Sequence, residues 1–165
     1  MALGLRLLLI SLAWVVIEIG SGYLTNRLPL RLFEADGPLT RTRRWEREGQ
    51  IYAGVLRVHR WKDALPEAGA MFSGGFAKRS LRDRSPRHLD RFIAETRRAE
   101  LTHWLPVLFS LTFFAWNPFH VAVWMPIVGL LANAPFIVVQ RYLRPRLARL
   151  LDASRRTRRS TRQDA

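Results

Sequence analysis

The sequence contains no cysteine and only four histidines: His59, His88, His103 and His120. The absence of cysteine excludes disulfides, thiolate catalysis and zinc sites built on cysteine. Four histidines are too few for the multi-histidine boxes of membrane desaturases and hydroxylases. Both of these enzyme classes are therefore excluded, and any histidine chemistry has few candidates.

Acidic residues are scarce as well. Thirteen Asp and Glu face 27 Lys and Arg, while 48% of the residues are hydrophobic, so the net charge is +14. This combination is typical of a small membrane protein with basic edges. A basic surplus also suits nucleic-acid binding, but the apolar runs already explain where the basic residues lie, so no nucleic acid is predicted. The 165 residues predict one membrane domain over residues 1–150 and a basic, disordered tail over residues 151–165.

Three long apolar runs occupy residues 7–24, 101–116 and 121–139. The first is interrupted only by Glu18, and the third is long enough to cross a bilayer. At about 1.5 Å per residue the second spans roughly 24 Å, short of the ~30 Å hydrocarbon core. It must thin the bilayer, extend into the turn at residues 117–120, or enter without crossing. The sequence therefore predicts an all-α integral membrane protein with three transmembrane or membrane-embedded helices.

The basic residues predict an orientation. Seventeen lie in residues 26–100, nine lie from residue 141 onward, and Arg6 alone precedes the first run. Cytoplasmic flanks carry the excess of Lys and Arg, so the N-terminus is expected outside, with the 26–100 segment and the C-terminal tail in the cytoplasm. A cleaved signal peptide over residues 1–22 is the rival interpretation. It would send the basic middle segment outward, against this bias.

The middle segment carries helix signals. Residues 40–64 place aromatic and valine side chains near helical spacing, with Gly49 as a weak point. This pattern predicts a cytoplasmic amphipathic helix lying along the membrane surface. Further on, Ser85 and Pro86 suit an N-cap and a first helical turn. We therefore expect a second helix that begins there and continues into the apolar run at residues 101–116.

The segment FIAETRRAELTHW, which leads into the second run, carries a candidate catalytic site. Glu100 and His103 are three residues apart and share a helix face. A carboxylate beside an imidazole fixes its tautomer and stabilises its protonated form, as a general base acting on a hydroxyl requires. Arg97 and Arg98 supply positive charge for phosphates or a developing oxyanion, with Glu95 supporting them.

Two other interpretations apply to the same segment. One is a helix laced with salt bridges at the membrane interface, with His103 and Trp104 as head-group anchors. Periodicity alone does not separate it from a catalytic site. The other is a di-metal centre, since Glu-x-x-His is typical of carboxylate-bridged metal proteins. Such centres need a second Glu-x-x-His pair, which this sequence lacks, so no metal is predicted.

The end of the third run is polar in a similar way. Asn133 interrupts the run, and four side chains follow it: Gln140, Arg141, Arg144 and Arg146. Stop-transfer arginines explain the charge but not the two amides. Because the second and third runs form a tight hairpin, both polar clusters are expected at one depth on the cytoplasmic side, where they form a substrate-binding pocket.

Two further candidates lie elsewhere. Glu18 is in the middle of the first run, where an ionisable residue indicates either function or a hydrogen-bonded, protonated carboxyl. His59 and Asp63 form an H-x-x-x-D pattern of the kind used in acyl transfer, although a match of two residues is weak.

Through four ordered blocks the chain resembles the glycosyl-4,4'-diaponeurosporenoate acyltransferase family of carotenoid biosynthesis, over roughly residues 50–150. The blocks are HRWKDALP, FSGGFAKRSL, FIAETRRAELTHW and LLANAPFIVVQRYLRPRL. The most specific parts are ETRRAELxHW and QRYxRPRL. The family usually has asparagine where this chain has Leu143, which puts the acceptor in question more than the reaction.

The resemblance implies a small membrane enzyme that esterifies a sugar hydroxyl of a glycosylated carotenoid, or of a related glycolipid, with a fatty acyl chain. In the staphylococcal pathway this is the last step to the pigment staphyloxanthin. The donor is expected to be an acyl thioester, either acyl-CoA or acyl-ACP, as co-substrate without a further cofactor. His103 is the expected base, with the arginines on the donor and Trp61 and Lys62 at the entry. The alternative is a non-catalytic membrane protein that binds anionic lipids through its arginine clusters.

Overall fold

The computed structural model describes residues 3–65 and 85–163, with side chains up to residue 159, and these ranges contain helices and no strand. The α-helices are α1 (Leu3–Arg27), α2 (Gln50–Gly54), α3 (Val58–Trp61), α4 (Pro86–Phe109), α5 (Phe119–Ala122) and α6 (Trp124–Gln163). In the same described ranges, four 3₁₀ helices lie between them: Leu30–Phe33, Arg44–Gly49, Lys62–Ala64 and Ser110–Ala115. The predicted all-α class is confirmed. Residues 66–84, which contain the block FSGGFAKRSL, lie outside the described residues.

Within the described part of the chain, two segments are long and apolar enough to cross a membrane: Leu3–Arg27, and Phe119–Arg159, which joins α5 to α6. They contain the first and third apolar runs. The second predicted run, residues 101–116, is divided between the end of α4 and the 3₁₀ helix Ser110–Ala115. The apolar residues 101–116 therefore follow one another without a break in sequence, but they form an α-helix first and a 3₁₀ helix afterwards.

Helix α1 packs against α4 through small side chains. Ser21, Gly22 and Thr25 are buried, and the hydroxyl oxygens of Thr25 and Thr102 lie 2.7 Å apart. Small residues let two helix backbones approach closely. The rest of α1 exposes large apolar side chains such as Val16, as expected of a face that meets lipid.

Helices α4 and α6 form the core of the fold through a five-residue apolar cluster: Leu89, Phe92, Ile93, Leu147 and Leu151. Leu151 lies at the start of the predicted disordered tail, residues 151–165. In the structure α6 continues through Gln163, and Arg155 donates to both carboxylate oxygens of Asp90, at 3.1 and 2.9 Å. The burial of Leu151 and this ion pair explain why helix persists where composition predicts disorder.

The single amphipathic helix predicted over residues 40–64 is wrong. Short helices and 3₁₀ turns replace it, because the backbone takes left-handed angles at several positions. Arg47, Glu48 and Gly49 have φ of 46°, 52° and 81°, and Arg57 has φ of 47°. Such angles end a right-handed helix, so the segment folds back onto α6 instead of running straight.

The predicted start of α4 is confirmed. Pro86 is its first residue, and the Ser85 hydroxyl accepts a hydrogen bond of 3.4 Å from the backbone N–H of His88. Proline suits this position because the first N–H groups of a helix have no intrahelical partner. The helix then runs without interruption to Phe109, so Glu95, Glu100 and His103 are held on one rigid element.

Candidate active site

A buried ion-pair network joins α4 to α6. Glu100 is fully buried, and its Oε1 accepts from Arg141 Nε at 2.7 Å while its Oε2 accepts from Arg144 Nη2 at 2.5 Å. Trp104 Nε1 donates to the same carboxylate at 3.4 Å. A buried charge is tolerated when it is paired and fully hydrogen-bonded. Glu100 therefore fixes the α4–α6 contact at this level.

A second carboxylate reaches the network from the middle segment. Glu46 is 1% exposed; its Oε1 accepts from Arg141 Nη1 at 2.7 Å and from the Arg43 N–H at 2.8 Å. Its Oε2 accepts from the Tyr52 hydroxyl at 2.9 Å. Burial, together with the hydrogen bond to Glu46, raises the pKa of Tyr52 to about 12. Glu46 and Tyr52 were not among the sequence-predicted site residues, because their segment looked like a surface helix.

The two arginines of the network have every guanidinium nitrogen engaged by the protein. Arg141 Nη2 donates to the Leu39 carbonyl, in addition to its two carboxylate partners. Arg144 donates to the Thr40 carbonyl through Nη1 and to Thr96 Oγ1 through Nε at 3.1 Å, besides Glu100. Three of the five N–H donors of each guanidinium group are used in these contacts, one on each nitrogen. The geometry therefore pairs both arginines with the protein itself.

The arginines of α4 are also paired. Arg97 donates to Asp36 Oδ1 at 2.8 Å and to the carbonyls of residues 33–34 at 3.0 Å. Arg98 donates to Glu95 Oε2 at 2.7 Å, and Glu95 is 4% exposed. Glu95 therefore pairs with an arginine, as the sequence predicts, and that arginine lies one turn further along α4. Arg97 instead holds the segment that follows α1.

A separate polar cluster surrounds His103. Its Nδ1 lies 2.9 Å from Asn133 Oδ1, and its ring stacks on Phe136 with centroids 4.6 Å apart. Asn133 Nδ2 donates to Glu18 Oε1 and to the Gly129 carbonyl, both at 3.0 Å. Since both groups around Nδ2 are acceptors, the amide orientation is fixed, with Oδ1 toward His103. This orientation favours the tautomer of neutral His103 that has its proton on Nδ1 and its lone pair on Nε2.

Glu100, predicted to orient His103, contacts other side chains, and Asn133 contacts the imidazole. The carboxylate oxygens of Glu100 accept from two guanidinium groups and an indole, while His103 Nδ1 meets the amide oxygen of Asn133. The two clusters nevertheless share one α4–α6 interface. Asn133 precedes Arg141 by eight residues, which is about 12 Å along the helix axis.

Trp61 and Lys62, predicted to line an entry, lie on the middle segment. Trp61 Nε1 donates to the Leu56 carbonyl at 2.9 Å, and Lys62 Nζ lies 2.5 Å from Asp63 Oδ1. Helix α3 ends at Trp61 and a 3₁₀ turn follows. His59 and Asp63 are thus not one turn apart on a single helix, which removes the basis for the H-x-x-x-D pattern.

The remaining predicted residues lie on α6. Gln140 is buried, at 8% exposure. Arg146 lies over the ring of Tyr142, 3.6 Å from its centroid, and donates to the Tyr142 carbonyl at 2.8 Å. Guanidinium groups stack favourably on aromatic faces, so Arg146 is held in a defined orientation.

Metal ligands are not grouped in the described ranges. Among residues 3–65 and 85–163, no set of three or more His, Asp or Glu side chains is placed to hold an ion. The carboxylate of the Glu-x-x-His pair, Glu100, is bound to guanidinium groups.

The comparison with known families is decisive for the class of protein. A model of the glycosyl-4,4'-diaponeurosporenoate acyltransferase family matches residues 33–153. The chain belongs to this family. It is therefore an enzyme of the acyltransferase class, as the resemblance predicted.

Two relatives illustrate the similarity. The glycosyl-4,4'-diaponeurosporenoate acyltransferases of Staphylococcus aureus strains USA300 and Newman are 29% and 28% identical to the chain over 141 residues. The alignments cover 86% of this chain and 85% of each relative. No solved structure gives a significant match. His103, Glu100, Asn133 and Arg141 lie inside the range that the acyltransferase family model matches, whereas Glu18 precedes it.

Proposed function

We propose that this protein transfers a fatty acyl group from an acyl thioester to a sugar hydroxyl of a glycosylated carotenoid or a related glycolipid. The acceptor class follows from the names of the Staphylococcus aureus relatives. The observation that carries the proposal is the 2.9 Å contact between His103 Nδ1 and Asn133 Oδ1. It directs the basic Nε2 of His103 away from Asn133, which is the arrangement that a general base for a hydroxyl needs.

The reaction proceeds by direct transfer. Nε2 of His103 takes the proton of the sugar hydroxyl while the hydroxyl oxygen attacks the carbonyl carbon of the thioester. The tetrahedral intermediate collapses with cleavage of the C–S bond, and the protonated His103 returns its proton to the departing thiolate. The products are an ester and a free thiol. A sequence without cysteine offers no thiol for an acyl-enzyme intermediate, and direct transfer needs none.

The donor, acyl-CoA or acyl-ACP, presents phosphate groups in either case. Among the five arginines assigned to it from the sequence, Arg98 and Arg146 are the better candidates. Arg98 donates through Nη2 to Glu95, and Arg146 donates through Nη1 to a carbonyl. Their remaining nitrogens suit phosphate oxygens. Trp61, Lys62 and the amide of Gln140 complete the proposed donor side.

The membrane arrangement brings the two substrates together from different sides. We assign α1, residues 101–116 and α6 as three crossing segments, because an external N-terminus and a cytoplasmic C-terminal end require an odd number of crossings. The distribution of Lys and Arg supports an external N-terminus, with residues 26–100 and the C-terminal end in the cytoplasm. On α4, His103 then lies about 4.5 Å deeper than Glu100, the carboxylate that contacts Arg141, and so within reach of an acceptor that resides in the bilayer.

The test is ester formation by the purified protein in detergent, supplied with an acyl thioester and a glycosylated polyene. We expect the wild type to form the ester, and folded His103→Ala to lose about 10²–10⁴-fold in rate, the usual contribution of a general base. His120→Ala is the matched control, since His120 is an exposed histidine in α5, and its rate should equal that of the wild type.

Two results would contradict the proposal. If His103→Ala forms the ester at the wild-type rate, His103 is not the general base. A wild-type protein that forms no ester with any glycolipid tried, yet binds vesicles of anionic lipid stoichiometrically, is the non-catalytic lipid-binding protein instead.

A further inference from the structure

Glu18 is the one acidic residue of α1, and it lies among apolar residues near the middle of that helix. Its side chain is exposed on the helix bundle. An ionisable group at such a position in a membrane helix is costly and usually functional. Its hydrogen-bond partner is Asn133, the residue that contacts His103.

We infer that Glu18 is a positioning residue for His103 and acts through Asn133. Glu18 Oε1 and the Gly129 carbonyl accept from the amide nitrogen of Asn133, which turns its oxygen toward His103. With the amide reversed, its nitrogen would donate to Nδ1, and the proton of His103 would move to Nε2. The imidazole would then present no lone pair to the acceptor hydroxyl. This inference rests on the proposed function, because it assigns His103 as the base.

Packing contacts on both sides of Glu18 fix the position of α1. One turn before it, the Trp14 ring lies 5.4 Å from the Phe113 ring. Trp14 also fits so closely against Gly129 that a Cβ there would lie 2.8 Å from the indole. Two turns after Glu18, Thr25 contacts Thr102 on α4. Rigid support of this kind is what keeps a catalytic group in its working geometry.

The effect of Glu18 on the orientation of Asn133 depends on hydrogen-bond geometry more than on charge. Both an ionised and a protonated carboxyl offer an acceptor oxygen to an amide. The amide oxygen of glutamine has the same reach, whereas leucine has the volume and no acceptor. Glu18→Gln and Glu18→Leu therefore form a matched pair, and Ile19→Gln places the same amide on the neighbouring exposed position as a control.

The experiment has two readouts on the full-length protein in detergent. The first is the ¹⁵N chemical shifts of protein labelled at histidine, with the His103 signals identified by their loss in His103→Ala. The second is kcat and KM for ester formation. In Glu18→Leu we expect a mixture of His103 tautomers and a kcat about tenfold lower, the effect of one lost hydrogen bond, with KM unchanged for both substrates. Glu18→Gln and Ile19→Gln should keep the wild-type tautomer and kcat.

Several outcomes would overturn the inference. One is wild-type His103 with its lone pair on Nδ1, and another is folded Glu18→Leu with unchanged tautomer and kcat. If Glu18→Leu raises KM for the acceptor and keeps the wild-type kcat, Glu18 contacts the substrate instead of positioning His103. If Glu18→Leu fails to fold, Glu18→Ser, which is too short to reach Asn133, must show the same loss. The tautomer readout needs no turnover, so it is separate from the loss of rate in His103→Ala that tests the proposed function.

Discussion

The α4–α6 interface has two polar levels that behave differently. At the outer level, Glu100 and Glu46 bind two arginines whose nitrogens are all engaged by the protein. At the inner level, His103, Asn133 and Glu18 form a chain of hydrogen bonds that ends at the imidazole we propose as the base. Charges that are paired within the protein hold a structure together, whereas a group with a directed lone pair can act on a substrate. We therefore expect the outer level to contribute mainly to stability and the inner level to the chemistry we propose.

Removing the central carboxylate should produce the largest effect. Glu100→Ala leaves Arg141 and Arg144 buried without their shared partner, and breaking such a buried pair costs about 3–5 kcal/mol. We expect this loss in the free energy of unfolding, measured by titration with SDS from mixed micelles.

Glu48→Ala is the control for that variant. Its partner is Arg149, and both side chains are more than half exposed, so the change should stay below about 1 kcal/mol. Equal effects of the two substitutions would contradict the structural role of the outer level.

Asn133→Leu tests the inner level. It removes the amide that orients His103, and we expect kcat to fall by about 10²-fold, toward the lower end of what a general base contributes. Circular dichroism should show the helix content of the wild type. If kcat is unchanged in the folded variant, His103 does not depend on Asn133 and the comparison between the two levels fails.

Gly129→Ala disturbs the position of α1 against the inner level. The added Cβ would lie 2.8 Å from Trp14, so the indole must move against Phe113, at a cost of about 1–3 kcal/mol. The free energy of unfolding and kcat should both decrease. Gly20→Ala is the matched control, since nothing lies within 4 Å of a Cβ there, and it should be neutral or slightly stabilising. A neutral Gly129→Ala would show that α1 has no fixed position.

The smallest effect is expected at Tyr52. Its pKa is raised to about 12 in the folded protein, above the usual value of about 10. The neutral phenol therefore stabilises the fold fully below about pH 10, and this contribution is lost as the pH rises toward 12. Tyr52→Phe should lower the free energy of unfolding by about 1 kcal/mol at neutral pH. Between pH 10 and 12, the free energy of unfolding of this variant should fall less than that of the wild type. If the free energy of unfolding depends on pH identically in both proteins, the Tyr52 hydroxyl does not contribute to the stability of the outer level.

Much of this arrangement could be predicted from the sequence, because it depends on local signals. Ser85 and Pro86 mark the start of α4, and the hairpin between the second and third apolar runs brings two polar clusters to one interface. The family was identified from residues that stand close together in sequence, such as ETRRAELxHW. These features need helix periodicity, capping chemistry and short motifs only.

The partners within the interface could not be predicted in the same way. Glu100 and His103 share a helix face, but periodicity does not say which residue of α6 each one meets. Their partners Arg141 and Asn133 are 41 and 30 residues away. Glu46 was missed for a different reason: the left-handed turns at Arg47 and Arg57 occur at residues that give no turn signal.

The most direct test of the account is the rate of ester formation by folded His103→Ala at saturating acyl thioester and glycosylated polyene. A rate lower than that of the wild type by at least about 10²-fold, with His120→Ala unaffected, is the predicted result. A rate equal to that of the wild type would show that His103 is not the base, and that the chemistry lies elsewhere in the chain.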